Sequence, residues 1–247
     1  RVGVCPRRPV WGLRGRGRGC PGTAARLAAL LGEREWRGRG AGVDIVYRVQ
    51  ALAGDYRVPG LDRGRLDAIR RAADRLLPHK QAEDEDNALP AGRLLAFAYP
   101  DRVGQRRTGD ANRYQLSNGR GARLADEDAL GTQPWIVAAD LDGQAREAQV
   151  FLAAATDRTT LEADLAAHIE TTEEALWDDR RGTVVARRVT RLGEMVLAEQ
   201  SLPDPGLDTI EQGPVSYTHS NLPTNRTVSI EVLDASFKQK HNERTNK

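Results

Sequence analysis

Lysine is almost missing from the body of this chain: Lys80 is the only one before Lys238, so arginine carries the positive charge. Arginine keeps its charge at any ordinary pH and forks onto carboxylates, phosphates and carbonyls, so such a surface makes fixed cationic contacts. Aromatic residues make up only 5% of the sequence, which leaves Leu, Ala and Val to build the core. Cysteine is reduced to Cys5 and Cys20, with no signal-peptide pattern ahead of them. Two unpaired thiols are expected rather than a disulfide framework. No stretch approaches the roughly 18 apolar residues of a membrane span. A cytoplasmic protein with no membrane partner is therefore expected.

Catalytic constellations are missing too. There is no G-x-x-x-x-G-K-[ST] phosphate loop and no Ser/His/Asp or Cys/His arrangement. The four histidines, at 79, 168, 219 and 241, have no ligand spacing. Asp84, Glu85 and Asp86 read as a solvated linker, without the glycine geometry of a calcium loop. Gly15, Gly17 and Gly19 follow nothing strand-like, so they are no dinucleotide fingerprint. No catalytic residue, metal or cofactor is expected in this chain, and an enzyme in its own right is the least supported reading.

What is present falls into five stretches. Residues 1–22 are rich in Arg, Gly and Pro without periodicity or an acidic residue, and are expected to be non-native or disordered. An Arg-Gly arm for nucleic acid is the other reading of that stretch. From 23 to 90, helical spacing predicts a small bundle. Its helices are a first one with Thr23 as N-cap and Gly32 as C-cap, a second from about Asp44 with Val43, Val46, Tyr47 and Leu52 on its apolar side and Val49 beside them, and a third over Leu61–Leu77 closed by Pro78. An acidic linker follows over residues 79–92. From 91 to 168 a helix ending at Tyr99-Pro100, a further helical turn over Asp101–Arg107, and strands flanking Asn118-Gly119 predict a barrel of oligonucleotide-binding (OB) type. Trp135–Leu141 and Glu147–Ala153 supply further strands, and Thr160–His168 a helix. From 169 to 212 a β extension is expected, with strands Ile169–Trp177, Thr183–Arg188 and Leu192–Glu199 and a turn at Arg180–Gly182. Residues 213–247 switch to Ser, Thr, Asn and Lys, resemble translated adapter sequence, and are expected to be a disordered, artefactual tail. The fold class is thus α+β: a small helical bundle, then an OB-like β-barrel with an appended β-hairpin, between disordered termini.

A net charge of +2 announces no polyanionic partner, but its distribution is uneven. Arg102, Arg106, Arg107, Arg113, Arg120 and Arg123 crowd the start of the barrel region, with Tyr114 among them. Arginine forks suit phosphates, and an aromatic ring can stack a base. Gly119-Arg120-Gly121 is too short for a phosphate cradle, yet its backbone could approach one closely. The competing reading is a solvated rim interleaved with Asp101, Asp110 and Asp126.

Several motifs together resemble the C-terminal region of HrpB-type ATP-dependent helicases of the DEAH/RHA, DExH-box class. They are ARLAALLGERE, WRGRGAGVDIVYRVQAL, LLAFAYPDRV, NRYQLSNGRGARL, PWIVAADLDG, and the run from Thr171 to Pro205 containing Trp177–Arg188. The resemblance covers about Thr23 to Ile210. It implies that the chain holds the end of a helical ratchet-type bundle, the OB-like part and the start of a family-specific extension. It also implies that the RecA-like motor domains, with their ATP and magnesium, are partners elsewhere in the same polypeptide, so the chain alone is inactive. Single-stranded RNA or DNA is the implied ligand, with Arg102, Asn118, Gly119, Arg120 and Gly121 matching a channel-lining role. With the arginine rim added, the expected nucleic-acid-binding set is Arg102, Arg106, Arg107, Arg113, Asn118, Gly119, Arg120, Gly121 and Arg123. The alternative is a non-catalytic OB-like module that engages a protein.

Overall fold

The structure, a computed structural model, describes residues 21–32, 42–54, 63–77, 91–144, 146–178 and 183–202. The expectations for both termini, Pro78, the acidic linker through residue 90 and the Arg180–Gly182 turn lie outside them.

Four helices open the described chain. Helix α1 spans Pro21–Gly32 and buries Ala24, Ala25, Leu27, Ala28, Ala29 and Leu30. Thr23 therefore lies inside the helix, and the expected N-cap there is corrected. Helix α2, Ile45–Ala53, starts where expected because the Asp44 carboxylate accepts from the Val46 amide at 2.9 Å. It ends at Gly54, whose φ of 104° fits only glycine comfortably. Of the expected apolar side, Val43, Val49 and Leu52 are buried and Val46 packs partly buried against the core, joined by Ile45, Arg48 and Ala51; only Tyr47 departs from it, at 42% exposed. Helix α3, Arg63–Leu76, buries Ile69 and Ala73. Arg70 on it donates to the Leu52 and Ala51 carbonyls at 3.0 and 2.9 Å, satisfying the end of α2. Helix α4, Ala91–Ala98, begins inside what reads as linker, because Gly92 lets the helix lie directly on the Ala155 backbone. Any Cβ there would run into the Ala155 carbonyl.

After a 3-10 turn at Pro100–Arg102 comes strand β1, Val103–Arg106, where a further helical turn is expected. Arg106 donates its amide to Pro134 O, and Gly104 fits between Leu116 and Ile136. With β2 (Arg113–Leu116), β3 (Gly121–Arg123), β4 (Trp135–Leu141) and β5 (Glu147–Thr156) it forms a closed barrel in the order β1-β2-β3-β5-β4. All pairs are antiparallel except β3 with β5. The fold class is the expected α+β one, and the barrel is OB-like. Tyr114, Leu116, Ala122, Leu124, Leu130, Ile136, Ala138, Val150 and Ala153 fill its interior. The outward side chains of Val103, Trp135, Val137, Ala139, Leu152 and Ala154 join one core with the four helices. Helix α5, Arg158–Asp164, caps this side and is clamped to α4 by a bidentate pair of Arg93 with Asp164.

Because β3 is three residues long, β5 beyond Gln149 lacks a partner on that flank. The segment Gly42–Asp44 fills it. Val43 accepts from the Ala153 amide at 3.0 Å, and its side chain enters the barrel interior. Arg48 holds both ends of this strap, donating to Gly42 O at 2.8 Å and Asp44 O at 3.0 Å. Only 1% of Arg48 is exposed, and burial lowers its pKa while the same burial raises that of Asp44.

Strands β6 (Ile169–Asp178), β7 (Thr183–Leu192) and β8 (Met195–Leu202) make a separate antiparallel sheet. Its third strand begins three residues later than expected, because Leu192 finishes β7 and Gly193-Glu194 make the turn. Near the barrel Leu192 and Met195 join the main core. Further out the sheet is tied by charge. Arg187 reaches Glu174 at 3.0 Å and Glu199 at 2.9 Å, Arg191 reaches Glu174, and Arg188 reaches Glu173 at 2.7 Å. The two arginines hold the Glu174 carboxyl below its usual range.

Candidate nucleic-acid interface

Strand register divides the nine candidate residues between two ends of the barrel. Val103 pairs with Val137 while Arg106 faces Tyr114, so Arg106, Arg107, Arg113 and Arg123 gather toward the β1–β2 loop. Arg102, Asn118, Gly119 and Arg120 lie at the opposite end, with Gly121 opening β3 between the two groups.

At the first end an open groove of about 440 Å³ runs along Gln105–Ala111 and is closed by Pro134 and Trp135. Arg106 is held on one wall by donation to Thr132 O at 2.9 Å and Gly131 O at 3.4 Å. Arg107 lies back over the outer face of the barrel, donating to the Gln115 side chain at 2.9 Å. Arg113 pairs loosely with Glu147 at 3.5 Å and Asp110 at 4.0 Å, both weak at a solvated surface. Arg123 is exposed and sits across the strand pair from Arg113. Among the described residues no hydrogen bond or ion pair engages its guanidinium. Alternation along β2 puts Arg113 and Gln115 outside and Tyr114 and Leu116 inside. Tyr114 is therefore no stacking platform, which corrects the sequence reading. Its hydroxyl lies 2.7 Å from Leu130 O and 2.9 Å from Gln133 O inside the barrel, and burial pushes its pKa up to about 12.

The second end is occupied by its own contacts. Arg102 donates to Ala139 O at 3.0 Å and lies over the Tyr99 ring, 4.6 Å from its centre. Burial raises the Tyr99 pKa. Arg120 donates to Gln144 O. Three amides of the turn are used: Gly119 donates to Leu116 O, Arg120 to the Asn118 side chain and Gly121 to Arg146 O. The β7–β8 turn packs against this end, with the Glu194 amide donating to Ser117 O at 2.7 Å. A Cβ on Gly119 would meet the Glu194 side chain at 3.2 Å. A phosphate approaching this turn would find the Gly119, Arg120 and Gly121 amides engaged and the Glu194 side chain beside Gly119.

Gln105 and Trp135 border the groove although sequence reasoning passed over them, and Gln115 holds Arg107 on the adjoining face while donating to Gly119 O at 2.7 Å. Only the alternation of β1 and β2 could have signalled the two glutamines. Among the described residues no three His, Cys, Asp or Glu side chains cluster in a way that could hold a metal ion. Nor is any described helix long and apolar enough to cross a membrane.

Comparison with known proteins identifies the surroundings of this surface. The connector region of ATP-dependent RNA helicase HrpB, as a family, matches residues 168–202, which are the three strands β6 to β8. The ATP-dependent RNA helicase HrpB of Escherichia coli K12 is 36% identical over 131 residues, 52% of this chain and 16% of the relative. A crystal structure of the E. coli DExH-box NTPase HrpB superposes with a TM-score of 0.61 at 28% identity, covering 83% of this chain and 24% of that one. A second, of the E. coli DEAH/RHA helicase HrpB, gives 0.53 at 25% identity over 78% of this chain and 22% of the other. The chain is thus similar to part of HrpB-type helicases and spans less than a quarter of the length of these relatives.

Proposed function

We propose that this HrpB-type C-terminal region is the accessory part of an ATP-dependent helicase that holds single-stranded nucleic acid by its backbone. The observation that carries the reading is the groove beside the β1–β2 loop, with Arg106 and Arg107 on it and Arg113 and Arg123 on the adjoining outer face. Four guanidinium groups along one side of a small barrel suit the spaced charges of a phosphate chain, and the Gln105 amide on the groove can reach sugars and base edges. No feature of the groove demands a particular base, so binding is sequence-tolerant. Of the second group, Gly119 lies against Glu194 of the β7–β8 turn, while Arg102 and Arg120 hold carbonyls of the barrel itself, so direct contact of this group with the strand is secondary. ATP and magnesium act in motor domains elsewhere in the same polypeptide, and this region closes the channel behind them.

Fluorescence anisotropy of the full chain with a labelled single-stranded RNA across a salt series tests this. If all four arginines meet phosphates, the logarithm of the binding constant falls against log salt with a slope of about 3. The Arg113→Ala/Arg123→Ala pair, which disturbs no carbonyl contact, lowers that slope by about 1.4. Absence of binding at low salt from folded protein makes the rim plain solvated surface and returns the protein-interaction reading.

A further inference from the structure

Arg106 does not reach the groove unaided. Its guanidinium rests on the carbonyls of Gly131 and Thr132, in the 3-10 turn Ala129–Thr132. That turn starts at Asp128, whose Oδ1 accepts from the Leu130 amide at 3.0 Å. The other oxygen of the same carboxylate, Oδ2, accepts from the Val43 amide at 2.9 Å. Val43 belongs to the strap that Arg48 pins and that precedes α2. A continuous series of hydrogen bonds thus runs from a helix of the bundle, through one carboxylate, to the arginine on the groove wall.

The backbone on both sides of this carboxylate adopts conformations that most side chains avoid. Glu127, directly before Asp128, has φ 68°, and Asn112, at the end of the β1–β2 loop, has φ 62°. These are the only non-glycine residues with positive φ among the described ones. Gly42, before Val43, also has a positive φ, 63°. Asn112 fits against Gly131 so closely that any Cβ on that glycine would overlap its side-chain oxygen. Positive φ at an ordinary residue persists where surrounding contacts over-determine the backbone. Here those contacts converge on the position of the 3-10 turn.

We infer that Asp128 is a positioning residue, through which the helical part of the chain holds Arg106 at the groove. Its nucleic-acid consequence rests on the function proposed above; its effect on Arg106 does not. A shift of α2 relative to the barrel would act on the strap, the strap on Asp128, and the turn on Arg106, so grip at the groove would follow the attitude of the bundle.

The test uses the full chain labelled with ¹⁵N-arginine, with the Arg106 Nε–Hε resonance assigned by its loss in Arg106→Lys. In Asp128→Ala this resonance moves toward that of a solvated arginine, while those of Arg113 and Arg123 stay in place. Asp128→Asn keeps one acceptor and gives an intermediate shift; it decides the matter alone if the alanine variant does not fold. In the RNA anisotropy assay Asp128→Ala weakens binding on the order of tenfold. Added to Arg106→Ala, it weakens binding no further, whereas a merely structural role would multiply the two losses. An unmoved Arg106 resonance in the folded variants, or multiplying losses, overturns the inference. If the parent chain binds no RNA, the proposed function fails, and the resonance still decides whether Asp128 positions Arg106.

Discussion

Replacing Arg48 by alanine removes the one group that ties both ends of the Gly42–Asp44 strap. Two partly buried carbonyls, Gly42 O and Asp44 O, lose a charged donor whose own side chain is almost wholly buried. Leaving a buried acceptor unsatisfied costs about 1–3 kcal/mol, and losing the arginine stem opens a cavity. Relief of the desolvation that lowers the Arg48 pKa offsets part of this. The net expectation is a loss of about 3–5 kcal/mol, a large share of the about 5–15 kcal/mol that holds a domain together. Because Val43 fills the seam of β5, the loss should be felt in barrel and helices alike. Urea unfolding of the full chain by far-UV circular dichroism should show one transition with a lower midpoint and an unchanged slope. Hydrogen exchange of a peptide covering residues 148–156 should accelerate in step. A loss below about 1 kcal/mol, or a separate barrel transition untouched by the change, would refute the account of the strap. The shared core makes such a separate transition unexpected.

Tyr114 gives a pH-dependent prediction. Its pKa is raised from 10.0 to about 12 in the folded chain, so the folded state keeps a proton that the unfolded state gives up. Its contribution is complete below pH 10, is lost as pH rises toward 12, and is absent from a Tyr114→Phe variant, as stability measured from pH 9 to 12 should show. At neutral pH that variant should lose about 1–3 kcal/mol, since the hydroxyl serves the buried ends of Leu130 and Gln133. Gly193→Ala places a Cβ against Ser117 O at a φ of 57°. It should cost about 1–3 kcal/mol and speed exchange of the Glu194 amide. Gly143→Ala, whose Cβ meets nothing within 4 Å, is the matched control and should leave both unchanged.

The segments of this fold written in short range were legible. Asp44 announced α2, Asn118-Gly119 announced the β2–β3 turn, and the apolar run at Trp135 announced β4. Strand β1 was not, because four residues with an inward glycine show no alternation, and Pro100 just before them reads as the end of a helix. The start of α4 was hidden because Ala91-Gly92 looks like linker until the Ala155 backbone lies beneath it. Nothing local marks Arg48 as buried, and nothing local tells a strap residue that its partner is Ala153. In the candidate site the crowd of arginines was visible, but its division between two barrel ends depends on strand register. The burial of Tyr114 was legible and overlooked: it shares its parity with Leu116, and Arg113 shares the other with Gln115.

The connector sheet has a mechanical consequence. The chain enters it at Ile169, beside the barrel, and the described segment leaves at Leu202, which lies opposite Ala186 at the far end. Tension between those two points runs parallel to the strands and perpendicular to their hydrogen bonds, so the bonds share the load and must give way together. A hairpin pulled open from its ends would instead unzip rung by rung. The opposed Arg and Glu side chains add to this, since a slip of one residue turns each to the other face and breaks its pairing. Between those two points the sheet would pass on a pull as a stiff tie.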